Sequence, residues 1–137
     1  MRQQEVMRTV GVPVMVLALT VCWSGIPLRA HEGTLDGKTF VGQVGKKGKR
    51  SGDKDQFVFT GGTFRSTACD AYGFGPAEYI ATVNGDAITF EANAVSVKEG
   101  TMKWSGTIQG ERVTGTTRWS KPGKKPAEYW FNGKLKN

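Results

Sequence analysis

The sequence predicts an all-β protein, a small antiparallel up-and-down barrel of about eight strands that follows an N-terminal signal peptide. Three observations lead there. Beyond residue 30 the apolar residues alternate with polar ones and show no sustained helical spacing. Glycine cuts that alternation at short intervals. The connections fall into two length classes, which a meander sorts to opposite ends of a barrel.

Residues 1–30 are set apart. Arg2 and Arg8 precede an apolar run from Val10 to Trp23, and Ile26-Pro27-Leu28-Arg29-Ala30 ends on a small residue. That order is the layout of a secretory signal peptide, with cleavage expected near Ala30–His31 and a single domain over 31–137. The run is about 14 residues, shorter than the roughly 20 that a spanning helix takes, so the mature chain is expected to hold no transmembrane segment. Leu19-Thr20-Val21-Cys22 resembles a lipobox at which Cys22 would carry the lipid, but bulky Val21 stands where a small residue is needed. A periplasmic or secreted location follows.

The domain after the leader is long enough for one modest core. Its net charge is +5, because the leader takes three arginines and one glutamate from a chain of +7. Cys69 is its one cysteine, so no internal disulfide can staple it in an oxidising compartment. Strands are expected near Thr39–Val44, Gln56–Thr60, Thr63–Cys69, Glu78–Val83, Ala87–Val95, Thr101–Ile108, Arg112–Ser120 and Glu128–Leu135. Met102, Trp104, Gly106 and Ile108 share one face of the sixth, with Lys103, Ser105 and Thr107 on the other. One dry face and one wet face is what a sheet wrapped round a core requires.

Gly61-Gly62, Asn84-Gly85-Asp86 and Gln109-Gly110-Glu111 mark tight hairpins, where glycine supplies positive φ. Gly45–Asp55, Asp70–Ala77, Ser96–Gly100 and Lys121–Ala127 are long. In a meander all four long connections lie at one end, the plan of small barrels with a closed and an open mouth. Gly42, Gly106, Gly115 and Gly133 fall on the inner face, where they either sharpen curvature or free interior volume. An open two-sheet sandwich is the rival architecture for the same strands.

The candidate ligand wall is aromatic: Trp104, Trp119, Tyr129 and Phe131 within the strands, and Tyr72 and Phe74 on the loop at the open end. The same rings could equally serve the core alone. Two basic clusters, Lys46-Lys47-Gly48-Lys49-Arg50 and Lys121-Pro122-Gly123-Lys124-Lys125, would form a rim at that end, with Lys46, Lys47, Lys49, Arg50, Lys124 and Lys125 steering an anionic ligand. Trp104-Ser105-Gly106, the hairpin at Gly110, Trp119 and then Trp130 resemble the strand pairs of avidin-type barrels, and so the wider calycin-like group that includes lipocalins. The likeness spans about thirty residues and implies tryptophans walling a site. It lacks the polar first-strand residues of such barrels, where Thr39 and Phe40 stand, and the lipocalin Gly-x-Trp.

No Ser/His/Asp set, metal-ligand spacing or phosphate-binding glycine loop is present, so no catalytic residue, metal or cofactor is expected. His31, the sole histidine, could at the new amino terminus chelate copper only with further histidines that the chain lacks. Alternation points Cys69 outward, and with Asp70 beside it an inert thiol is expected. Two functional readings stand. In the first the barrel binds a small apolar or anionic molecule at its long-loop end. In the second it is a filled, non-enzymatic envelope-associated module that binds through its outer surface, with Trp130 facing out. Export argues against nucleic acid as a partner for either. Oligomeric state is not encoded in these patterns.

Overall fold

In the computed structural model the protein forms a closed antiparallel barrel of eight strands. The structure describes residues 29–30 and 33–137; the rest of the leader, Cys22 and His31 lie outside the described residues. A two-residue strand β1 (Arg29–Ala30) precedes the barrel strands β2 (Thr39–Lys46), β3 (Asp53–Thr60), β4 (Thr63–Ser66), β5 (Ala77–Asn84), β6 (Ala87–Ser96), β7 (Gly100–Gln109), β8 (Arg112–Ser120) and β9 (Ala127–Leu135). Each barrel strand pairs with the next, and β9 closes on β2 with Phe40 opposite Leu135 and Gly42 opposite Gly133. The β5 edge beyond Tyr79, which short β4 does not reach, pairs with the backbone of β1.

Every expected strand is present, and the connections sort by length as the meander requires. Gly61–Gly62, Gly85–Asp86 and Gly110–Glu111 turn one end, with positive φ at each glycine. The longer connections meet at the other end.

Alternation sets what is inside. Phe40, Phe57, Phe59, Phe64, Tyr79, Phe90, Trp104, Val113 and Phe131 are all 2% exposed or less. The rings touch one another: Phe59 meets Phe90 edge-on at a centroid distance of 5.0 Å, Trp104 meets Phe131 at 5.2 Å, and Phe64 meets both Phe90 and Trp104. Such contacts favour tilted and edge-to-face geometries, as here. Two inner-face glycines make room for them. A Cβ on Gly106 would sit 2.5 Å from the Phe90 ring, and one on Gly115 would sit 2.7 Å from the Phe131 ring. The volume those glycines release is taken up by aromatic rings.

Both ends are covered. At the short-turn end, residues 33–38 fold across the opening and bury Leu35 completely. Tyr79 Oη accepts from Leu35 N at 3.0 Å and donates to Asp36 Oδ1 at 2.8 Å, and the Asp36 carboxylate accepts from Gly62 N in the β3–β4 hairpin. The chain enters and leaves the barrel at this end, where Lys136 N donates to Thr39 O.

At the long-loop end the third expected strand is shorter than the sequence suggests. It stops at Ser66, and Thr67–Tyr72 coils into a 3-10 helix that ends at Gly73 with φ +82°. The cause is Asp55, a buried carboxylate that accepts from Ser66 Oγ, from Gln56 N at 2.7 Å and from Ala68 N at 2.9 Å. With Ala68 N and Gln56 N both turned to that carboxylate, the β3–β4 ladder ends at the Phe57–Ser66 pair. Cys69 is thus half-buried on the helix and packs against the core, where alternation along a strand had pointed it outward. Phe74, just beyond the helix, is buried over the interior.

Burial above all, with the bond to Asp36, pushes the Tyr79 phenol up to about 12 from an ordinary 10. The folded state therefore holds this proton more tightly than the unfolded chain, so its contribution is complete below pH 10 and declines as pH rises from 10 to 12. Urea denaturation across that range should show stability falling with pH. Tyr79→Phe should flatten the fall and lower stability at pH 8 by about 1–2 kcal/mol, through the partners left on Leu35 and Asp36. An unchanged alkaline slope in the variant would contradict the latch.

Thr117, 1% exposed on the inner face, carries a buried hydroxyl without a hydrogen-bond partner among the described residues. Replacing it with valine keeps the shape and removes the desolvated group, so Thr117→Val should stabilise by about 1 kcal/mol in the same denaturation assay. A destabilised variant would mean the hydroxyl is engaged.

Candidate functional site

Of the six aromatics expected to wall a ligand site, Trp104 and Phe131 are brought together, while Trp119, Tyr129, Tyr72 and Phe74 make no ring contact with them or with one another among the described residues. Trp104 and Phe131 lie in the middle of the core against Phe57. Phe74 is buried at the long-loop end, and Trp119 is half-buried with its indole N–H given to Glu99 O at 2.6 Å. Tyr129 is half-buried on β9, and Tyr72 is 61% exposed on the rim.

The basic residues are arranged otherwise. Lys46, Lys47 and Lys125 border one solvent-open concavity together with Arg118 and Glu128. Lys49, Arg50 and Lys124 are exposed on the flanking loops, outside that concavity's lining. Lys47 Nζ contacts Glu128 Oε2 at 2.8 Å, and this bond, more than the charge alone, raises the Lys47 ammonium and lowers the Glu128 carboxyl from their ordinary values. Both side chains are exposed, Lys47 more than Glu128, so the pair is screened and easily exchanged for another partner.

A second concavity adjoins the first on the outer wall. Lys47, Arg118 and Glu128 border both, and Lys103, Ser105, Thr116 and Trp130 line the second. Trp130 faces outward, as alternation expects, but is half-buried. Its indole N–H donates to Lys49 O at 2.8 Å, and its ring lies over Gly45, where a Cβ would collide with it. The β2–β3 loop thus holds the ring in one orientation.

Arg118 and Lys103 belong to this surface although neither stands in a basic run. Their pairing was available in the sequence, because a two-residue turn at Gly110–Glu111 puts Lys103 directly opposite Arg118 on the wet face.

Other polar groups are already occupied. Arg65 grips Asp70 with a fork of hydrogen bonds, Nε to Oδ2 at 2.9 Å among them. Burial chiefly, with the nearby charges of Asp55 and Asp70, pushes the Cys69 thiol up, against a smaller lowering by a bond to Ser66. A thiol held protonated is a poor nucleophile. No helix among the described residues is long and apolar enough to cross a membrane. Comparison with protein-family models, with curated proteins and with solved structures finds no match to this chain.

Proposed function

We propose that this chain is an exported, non-enzymatic binding module whose interior serves folding and whose outer wall at the long-loop end takes an anionic ligand. The carrying observation is one concavity bordered by Lys46, Lys47, Arg118 and Lys125 and answered by a single carboxylate, Glu128. Cations gathered on one rim raise the local concentration of anions and steer them inward. The mutual packing of Trp104, Phe131 and their neighbours supports assigning the inner rings to stability. The engagement of Asp55 and Asp70, with Cys69 held as the thiol, supports leaving chemistry out. A retained anionic envelope component, a glycan or a lipid head group, fits this reading better than a small apolar molecule.

Binding of the purified chain to dextran sulfate, to vesicles rich in phosphatidylglycerol and to neutral dextran, measured by calorimetry, tests it. At least one anionic probe should bind, with affinity falling steeply as salt rises, while neutral dextran does not. The double variant Lys46→Glu with Lys125→Glu should lose at least tenfold in affinity while keeping its thermal midpoint. Binding to none of the anionic probes, or equal binding to the neutral one, would end the proposal.

A further inference from the structure

The outer wall carries more than the rim. Along β8 and β9 the outward side chains pair across strands in rows: Arg112 with Lys134, Thr114 with Asn132, Thr116 with Trp130 and Arg118 with Glu128. The neighbouring strands extend each row. Gln43 on β2 lies opposite Asn132, and on β7 Thr107 and Ser105 lie opposite Thr114 and Thr116, while Lys103 lies opposite Arg118. The face therefore has a basic row at each end, a middle field of amides and hydroxyls, and one aromatic ring.

Two features of this face run against stability. Lys103 opposite Arg118, and Arg112 opposite Lys134, place like charges directly across a strand pair, an arrangement that destabilises a sheet. Glu128 offsets the first row. The second row has no such offset: Lys54, in register with Gln43, is a further cation on the same groove, and the groove's carboxylate, Asp55, already accepts from Ser66, Gln56 and Ala68. No hydrogen bond or ion pair among the described residues engages the side chains of Arg112, Lys134, Asn132, Thr114 or Gln43. Together they line an open groove of about 730 Å³. Uncompensated cations and unused amides on one face are what an external polyanion would satisfy.

Spacing and chemistry narrow the ligand. From Arg112 to Arg118 is six residues, so the two basic rows stand about 20 Å apart at roughly 3.3 Å per strand residue. A single phosphate or head group cannot reach both. An extended chain can, provided its anionic groups recur along it and its middle offers hydroxyls to Asn132, Thr114 and Gln43. Sugars meet that description, and a fixed outward tryptophan suits the apolar face of a sugar ring. Single-stranded nucleic acid is the weaker fit, since it is held by successive aromatic platforms and this face has only Trp130.

We infer that the outer face of β2, β9, β8 and β7 is a binding strip for an extended acidic polysaccharide, with basic rows at both ends and Trp130 between them, next to the Arg118 row. The inference deepens the anion-binding reading above and rests on it. Its test uses oligogalacturonates from disaccharide to octasaccharide, and single-stranded DNA of matching length, titrated into the full chain while tryptophan fluorescence is followed. Affinity for the uronates should climb with length until both rows are spanned. Arg112→Gln with Lys134→Gln should cost the long oligomers at least tenfold, spare the short ones, and leave the melting temperature no lower than that of the parent; Arg112→Gln alone is the second reading should the pair fail to fold. Length-independent affinity, undiminished binding by these variants, or a preference for DNA would overturn the strip while leaving the rim proposal intact. Failure of every anionic probe in the preceding experiment would remove both.

Discussion

The rings of Phe90 and Phe131 lie where Gly106 and Gly115 carry no side chain, and the shape of the whole barrel follows from that exchange of volume. Eight strands enclose a narrow cylinder, too tight for a full ring at every inward position. Placing glycine opposite the largest side chains lets β7, β8 and β9 coil sharply and still meet a continuous aromatic interior. The packing is dense because each ring is clamped by others at centroid distances of 5–6 Å. A chain without disulfides in its domain obtains rigidity from this arrangement.

With the interior packed by aromatic rings, the polar ties lie at the two ends and on the outer wall. The ends are tied by single residues: Tyr79 holds the segment carrying Leu35, and Asp55 holds the helix that follows β4. Both are buried polar groups with several partners, the condition under which such groups stabilise. Among the described residues the ties on the outer surface are exposed ones, such as Lys47 to Glu128 and Arg65 to Asp70. Arg112, Lys134, Gln43 and Asn132 make no side-chain bond among the described residues, and one tryptophan is fixed by a loop carbonyl.

Period-two alternation and glycine turns were enough to place the eight strands, to sort the loops and to point Trp104 and Phe131 inward. They also placed Trp130 on the outside. What alternation could not convey was whether the inner rings leave a space between them, since that depends on ring sizes summed around a closed circle. The segment 33–38 has no periodicity, and its partners Phe59, Gly62 and Tyr79 are distant in sequence, so its role as a plug was invisible. The early end of β4 was hidden for a similar reason. Thr63–Cys69 has the composition of a strand, and the carboxylate that diverts it sits more than ten residues upstream. Arg118 and Lys103 were legible through register, but composition drew attention to the lysine runs in the loops.

Thr39 and Lys136 are joined by a backbone hydrogen bond, so the polypeptide comes into the cylinder and departs from it side by side. Anything anchoring the molecule through either flank would hold it by the base, like a lamp on its stem. The crown of lysines would then face away from the anchor, free to sample the surrounding medium.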